Sequence, residues 1–164
     1  MTVPTSPALT SPAPAPSAGR IPALNWHDAH RTSIQLRFAD VDAMGHVNNA
    51  RYAEFLEVAR MDMSAASGIQ GDDDHSMLAR LELDYVHEIR LGQAVFIESL
   101  VERVGRSSWT VAARFVADNV PCAFARSVQV RVNADHIPEA LPERFRELVK
   151  PLLARPEVPP EKNP

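Results

Sequence analysis

The stretch Ala50-Arg-Tyr-Ala-Glu-Phe-Leu-Glu-Val-Ala-Arg-Met-Asp-Met-Ser-Ala-Ala-Ser67 decides how the rest of the chain must fold. Its apolar residues Tyr52, Phe55, Leu56, Ala59, Met63 and Ala66 recur at i, i+3, i+4 and i+7, the spacing of one helical face. Arg51, Glu54, Glu57 and Asp62 fall on the other faces. Asn48 or Asn49 can cap the start, and Gly68 can close the end in a left-handed conformation. At 1.5 Å per residue such a helix is about 27 Å long, enough to line a whole small domain. A helix with one apolar face needs something to bury it against.

The flanking sequence offers strands for that purpose. Ile34, Leu36 and Phe38 alternate with polar neighbours, and the same period recurs in Leu81, Leu83 and Tyr85; in Val95, Ile97 and Val101; in Trp109, Val111, Ala113 and Phe115; and in Phe124, Val128, Val130 and Val132. The breaks at Arg90 to Gly92, at Gly105 and at Asp118-Asn119 are short, so the last four strands are expected to pair antiparallel through tight connections. A second, shorter helix is expected from about Glu139 to Leu153, with Pro142 in its first turn. The expected class is α+β: an antiparallel five-stranded sheet wrapped around one long helix.

Proline frames this domain. Of 14 prolines, six lie in the first 22 residues and seven at or after Pro138, leaving Pro121 alone between. Residues 1–22 are mainly Pro, Ala, Ser and Thr, which bury too little apolar surface to offset the entropy of ordering, so 1–22 and 155–164 read as flexible tails around a domain at 23–154. The 164 residues carry 17 Lys and Arg against 21 Asp and Glu, a formal charge of −4 that argues against nucleic-acid binding. No apolar run reaches the length of a membrane span and no signal-peptide pattern opens the chain; a soluble cytoplasmic protein is expected. Cys122 is the only cysteine, which excludes an intramolecular disulfide and a cysteine-rich zinc site.

Polar groups concentrate where the first strand meets the long helix: Asp40, Asp42, His46, Asn48 and Asn49. Such a junction offers unpaired N–H groups and the positive end of the helix dipole, which suit an oxyanion or a polarised carbonyl. Asp42 beside those donors could serve as nucleophile or as general base toward water. The plainer reading makes these residues turn formers and helix caps. Asp40, Asp42 and His46 also lie within seven residues of each other, yet loop hydrogen bonds explain them as well as metal ligation does, and no metal is assigned.

The segment Asp40-Val-Asp42-Ala-Met-Gly45-His46-Val47-Asn48-Asn49, with Tyr52 and Glu57 to Arg60, resembles the signature of hotdog-fold thioesterases of the 4-hydroxybenzoyl-CoA thioesterase type and their acyl-CoA thioesterase relatives. Weaker likeness runs through Leu83-Asp84-Tyr85, Ile89 to Gly92 and Gly105-Arg106-Ser107-Ser108, so it covers roughly residues 30–135. Glu88 departs from it, standing where a proline commonly precedes the bend into the next strand. The resemblance implies the hotdog fold, hydrolysis of an acyl-CoA to a free acid and coenzyme A, and a homodimer or homotetramer with sites between protomers. It implies no cofactor, coenzyme A being part of the substrate. Asp42 matches the catalytic carboxylate, and Asn49 the position whose backbone N–H faces the thioester carbonyl. Asp40, His46, Asn48 and Tyr52 are expected to support them.

Coenzyme A carries phosphates, and Arg103, Arg106, Ser107 and Ser108 around Gly105 could hold them, or could form a solvated hairpin tip. Arg90 and Arg126 are weaker candidates. Glu57 is expected in an ion pair with Arg60 or a dimer contact, and Met44, Met61 and Met63 in an acyl tunnel or the core. Two other functions fit the fold: a non-catalytic binder of acyl thioesters, and a hydratase or dehydratase pairing Asp42 with His46.

Overall fold

A computed structural model describes residues 24–69 and 75–156. The elements, in order, are β1 (His30–Ile34), α1 (Asn49–Ser67), β2 (His75–Tyr85), β3 (Val95–Val104), β4 (Ser108–Ala117), β5 (Val120–Val132) and α2 (Glu143–Val149). Among the described residues no helix is long and apolar enough to cross a membrane.

Helix α1 forms as its periodicity predicts. The side chain of Asn48 accepts the N–H of Ala50, and Gly68 closes the helix at φ 68°. Tyr52, Phe55, Leu56, Ala59 and Met63 are buried, whereas Ala66 is exposed. The stripe therefore ends a turn before the helix does.

The strands form one antiparallel sheet in the order β1-β3-β4-β5-β2. Hairpins join β3 to β4 and β4 to β5, the second through Asp118 and Asn119 at φ 48° and 66°, both left-handed as a two-residue turn between right-twisted strands requires. The expected β2–β3 hairpin does not form. Residues 86–94 instead carry the chain across the sheet, with Ile89 fully buried on the way, and β2 pairs with β5 at the far edge. β1 also stops earlier than its alternation implies: Phe38 lies in a 3-10 turn (Phe38–Asp40) and is 84% exposed.

All five strands reach the same apolar cluster beneath α1: Ile34 of β1, Val95 and Ile97 of β3, Ala113 and Phe115 of β4, Ala123 and Ala125 of β5, and the half-buried Leu81 and Leu83 of β2. Five strands side by side span about 19 Å, while a helix with its side chains is about 10 Å across, so the sheet must curl for both edges to touch one helix. Alanine makes the close approach possible. Ala113 and Ala125 face each other across the two strands nearest the sheet's centre, next to Phe115 and Ala123. Cys122 is buried in the same cluster.

The far end of α1 has its own cap. Leu141, Phe145 and Val149 pack on Met63, Val101 and Val111. Helix α2 begins later than expected because Glu139 and Leu141 donate their N–H groups to the carbonyls of Arg131 and Arg106 rather than entering a helix. Behind α2 the chain returns to the sheet: Arg155 and Pro156, expected in a tail, pair with Leu24 and Asn25. The rest of the expected tails, 1–22 and 157–164, lies outside the described residues, as does Ala23 of the expected domain.

The outer face of the sheet carries a small apolar cluster of Leu24, Leu100 and Ala112, and ion pairs beside it. Glu98 of β3 lies opposite Arg114 of β4 and bonds its guanidinium, which also stands 4.8 Å over the Trp26 ring. Arg126 of β5 bonds Glu102 at 2.6 and 2.7 Å.

The curl makes a stability prediction. Ala113→Leu should destabilise the chain by about 1–3 kcal/mol, because the added side chain must fit between the sheet and the helix in a filled core. Ala66→Leu, on the exposed end of α1, should stay within about 0.5 kcal/mol of the parent. Urea unfolding midpoints check both; equal midpoints would remove the close-approach argument.

Candidate active site

Residues 37–49 fold on themselves before α1 begins. The carboxylate of Asp40 is fully buried and accepts the backbone N–H of Arg37 at 2.7 Å and its guanidinium at 2.8 and 3.2 Å. Arg51 stands 3.7 Å away. These donors, Arg37 above all, hold the Asp40 carboxyl below its ordinary range in spite of burial. The Asp40 carbonyl in turn accepts the N–H of Asn48 at 2.9 Å, which fixes the start of α1 to this turn.

Asp42 lies in a seven-residue loop closed by pairing of Val41 with Val47. Its N–H donates to the His46 carbonyl at 2.8 Å, and its Oδ1 accepts the N–H groups of Met44 (2.9 Å) and His46 (3.2 Å). Gly45, at φ 79°, supplies the left-handed residue the turn needs. So Asp42 does form the turn, as the plainer reading requires, but it spends only one oxygen on it. The side chain is exposed, and Oδ2 has no hydrogen-bond partner among the described residues.

Asn49 opens the helix. Its N–H has no acceptor among the described residues, as the geometry of a first helical turn dictates, while its carbonyl accepts the Tyr85 hydroxyl at 3.0 Å. The loop is stitched to the β2–β3 crossover by the Val47 N–H on the Ile89 carbonyl (2.7 Å) and by His46 pairing with Arg90. There the departure at Glu88 finds a use: its carboxylate lies 2.9 Å from His46 Nε2 and 2.6 Å from Arg90.

The fold thus brings Asp40, Asp42, His46, Asn48 and Asn49 together at the N-terminal end of α1. Tyr52 stands on the core face of α1, behind this group. It is buried between Tyr85 (ring centroids 5.0 Å apart) and Phe115 (4.8 Å), and burial raises its phenol to about 12. Tyr52 reaches this end through its edge-on contact with Tyr85, and Arg37, Tyr85 and Glu88 also bond the residues there. Of these, only Arg37, three residues before Asp40, carries a local sequence signal.

Arg103, Arg106, Ser107 and Ser108 sit at the opposite end of β3, about 30 Å along the strand from the loop, so one chain does not join them to Asp42. Arg103 and Arg106 are exposed. The turn is braced rather than loose: Gly105 donates to the Ser108 carbonyl at 2.7 Å, and Arg146 of α2 bonds the Gly105 carbonyl at 2.9 Å. Arg90 and Arg126 are engaged by Glu88 and by Glu102. The expected Glu57–Arg60 ion pair is not formed, and Nη1 of Arg60 is buried with no partner among the described residues. Met63 is core, Met61 and Met44 are exposed.

Comparison with known proteins adds independent findings. A family model described as the thioesterase-like superfamily matches residues 36–161. A thioesterase from Thermus thermophilus, solved with coenzyme A and zinc, is 33% identical, with a TM-score of 0.67 over 73% of this chain and 96% of that one. A predicted thioesterase from Bacillus stearothermophilus is 28% identical (TM-score 0.71; 77% and 98%). A 1,4-dihydroxy-2-naphthoyl-CoA thioesterase from Synechocystis, 12% identical, shares the fold at a TM-score of 0.66 (73% and 93%). Among curated proteins none matches. The helix-wrapped sheet is the hotdog fold.

The buried Asp40 carboxylate has a measurable signature. Its lowered pKa means that its contribution to stability is present above the unfolded value of 3.8 and is lost as pH falls through the folded value. Asp40→Asn should therefore cost about 1–3 kcal/mol at pH 7, and the gap to the parent should close in acid. Thermal unfolding from pH 7 to pH 3 checks this; a pH-independent gap would contradict it.

Proposed function

The chain belongs to the thioesterase-like superfamily, and on that premise we propose that it hydrolyses acyl-CoA thioesters with Asp42 as the catalytic carboxylate. The observation that carries this reading is the pairing of an exposed carboxylate, held by one oxygen, with an N–H at the first turn of α1, both the second oxygen and the N–H being without a partner among the described residues. Asn49 N–H polarises the thioester carbonyl, and the helix dipole favours the charge that develops there. Asp42 then attacks the carbonyl carbon, or removes a proton from the water that does. In the first case the C–S bond breaks to release the coenzyme A thiolate, and water hydrolyses the mixed anhydride; in the second, water adds directly. Either way one water is consumed, and a carboxylic acid and a thiol leave.

The coenzyme A bound to the Thermus thermophilus relative supports the choice of carrier.

The chemistry is arranged on the surface of the single chain, where water competes for every hydrogen bond. A second copy supplies the enclosure in this reading. Edge strand β2 pairs on one side only, to β5, and exposes Met77 and Leu78, the kind of edge that recruits another chain. In such an assembly Arg103 and Arg106 serve a partner's site, since they are too far from Asp42 to serve their own.

Asp42→Asn preserves size and turn hydrogen bonds but removes charge, so kcat should fall by at least about 10² with folding intact. Asn49→Ala, which keeps the backbone N–H, should change kcat far less. Release of free thiol from a panel of acyl-CoAs measures both, and parent-like turnover by Asp42→Asn would defeat the assignment. Arg106→Ala should raise KM and leave kcat largely unchanged, because a phosphate contact is equal in ground and transition states. Light scattering should find a dimer or tetramer; a monomer at micromolar concentration would leave the Arg106 role without a basis.

A further inference from the structure

Of residues 41–47 only Val47, at the end of the loop, is buried; Met44 at the tip is exposed, so no apolar anchor holds the tip. The place of Asp42 therefore depends on the root of the loop. There the main chain of His46 holds it twice, its carbonyl accepting the Asp42 N–H and its N–H donating to Asp42 Oδ1. His46 is in turn held from the crossover. Glu88 places one carboxylate oxygen 2.9 Å from His46 Nε2 and the other on Arg90, 2.7 Å from Nε and 2.6 Å from Nη2. A carboxylate only accepts, so the bond to His46 needs the proton on Nε2. The crossover end of this bridge is fixed. Ile89, between Glu88 and Arg90, is buried in the core. The Arg90 N–H donates to Gln93 Oε1 at 2.7 Å, and Gln93 Nε2 donates to Asp118 in the β4–β5 turn at 3.0 Å. Exposed ion pairs add little to stability, so the bridge is better explained by what it positions than by what it stabilises.

We propose that Glu88 is a positioning residue for Asp42: through Nε2 of His46 it fixes the segment whose main chain holds the Asp42 carboxylate, and so keeps that carboxylate in one place relative to the Asn49 N–H. Glu88 touches no reacting atom, and its charge is met by Arg90 and His46. His46 serves as the link and not as a base. The role rests on the thioesterase reading above, in which Asp42 is the catalytic carboxylate. Displacing a reacting group by about 1 Å can cost on the order of 10² in rate, so a bridge of small worth to the fold has a larger worth to turnover.

Thiol-release kinetics on the full chain, with amide hydrogen exchange beside them, test the role. Glu88→Ala should lower kcat about tenfold with KM within about twofold of the parent, and should melt within about 3 °C of it because the pair is exposed. In the same variant the Asp42 and His46 N–H groups should exchange about tenfold faster, while those in the middle of α1 keep close to the parent rate. His46→Ala should match Glu88→Ala, and the variant carrying both changes should fall no further than either, since each cuts the same bridge. His46→Gln puts an amide donor where Nε2 stood and should recover most of the loss. In the Asp42→Asn background Glu88→Ala should cost nothing more, because the carboxylate it positions is gone. Unmoved exchange at Asp42 in Glu88→Ala overturns the proposal, as does faster exchange with kcat unmoved. Losses that multiply when both residues are changed also overturn it, and so does a His46→Gln as slow as His46→Ala, which would make the imidazole a base. If the parent releases no thiol from any acyl-CoA, the thioesterase reading fails instead, and exchange at Asp42 and His46 in Glu88→Ala then decides the bridge by itself.

Discussion

A carboxylate taken wholly out of water has to find its donors close by, and Asp40 finds three on Arg37. That single arrangement organises the end of the molecule where the chemistry is proposed. The side chain gathers residues 37–40 into a turn, and the main-chain carbonyl of the same residue holds Asn48, so the helix starts at a fixed place relative to the turn. Arg51 would oppose the positive end of the helix dipole were it not for Asp40 and for Glu54 at 2.6 Å. Asp42 and Asn49 are exposed, but every atom that positions them is tied down. An exposed loop can hold reactive groups in register only when it is braced in this way.

The other constraint is steric. A sheet curled round a helix leaves the helix with two unlike ends. At the N-terminal end the strands give way to a crossover and a polar loop; at the C-terminal end α2 closes over the gap. Small residues at the centre of the sheet let the two layers meet, and the larger ones, Trp109 and Phe145, 4.7 Å apart, stand at the periphery.

Much of this was legible in the residue order. The helical stripe, its asparagine cap and its glycine stop are local features, and local features survive into the fold. Strand alternation located four strands well, because each buries one face on α1. It failed for β1, where the alternation of Leu36 and Phe38 continues past the point at which Asp40 pulls the chain into a turn. The β2–β3 connection misled for a different reason: pairing order depends on which edge is vacant, a property of the finished sheet. In the loop, residue types announced a site without dividing its labour. Asp40 and Asp42 look equivalent in sequence, and only burial separates an internal brace from an exposed carboxylate. Tyr52 sits on the core face of a correctly read helix, so its own periodicity argued against a place in the loop. The partners Tyr85 and Glu88 come from 36 and 42 residues away from the groups they hold, Asn49 and His46, and no spacing rule reaches that far.

Cys122 gives the fold a practical property. The thiol is buried in the core, points at the Val120 carbonyl at 3.2 Å, and burial raises its pKa, so little of it is thiolate near neutral pH. It is also the only sulfhydryl in the sequence. A disulfide reagent added to the native protein therefore meets almost no competing nucleophile, and colour that develops with substrate reports the leaving group alone. The same reagent becomes a clock for unfolding once substrate is omitted, because Cys122 reacts only after the helix and sheet part.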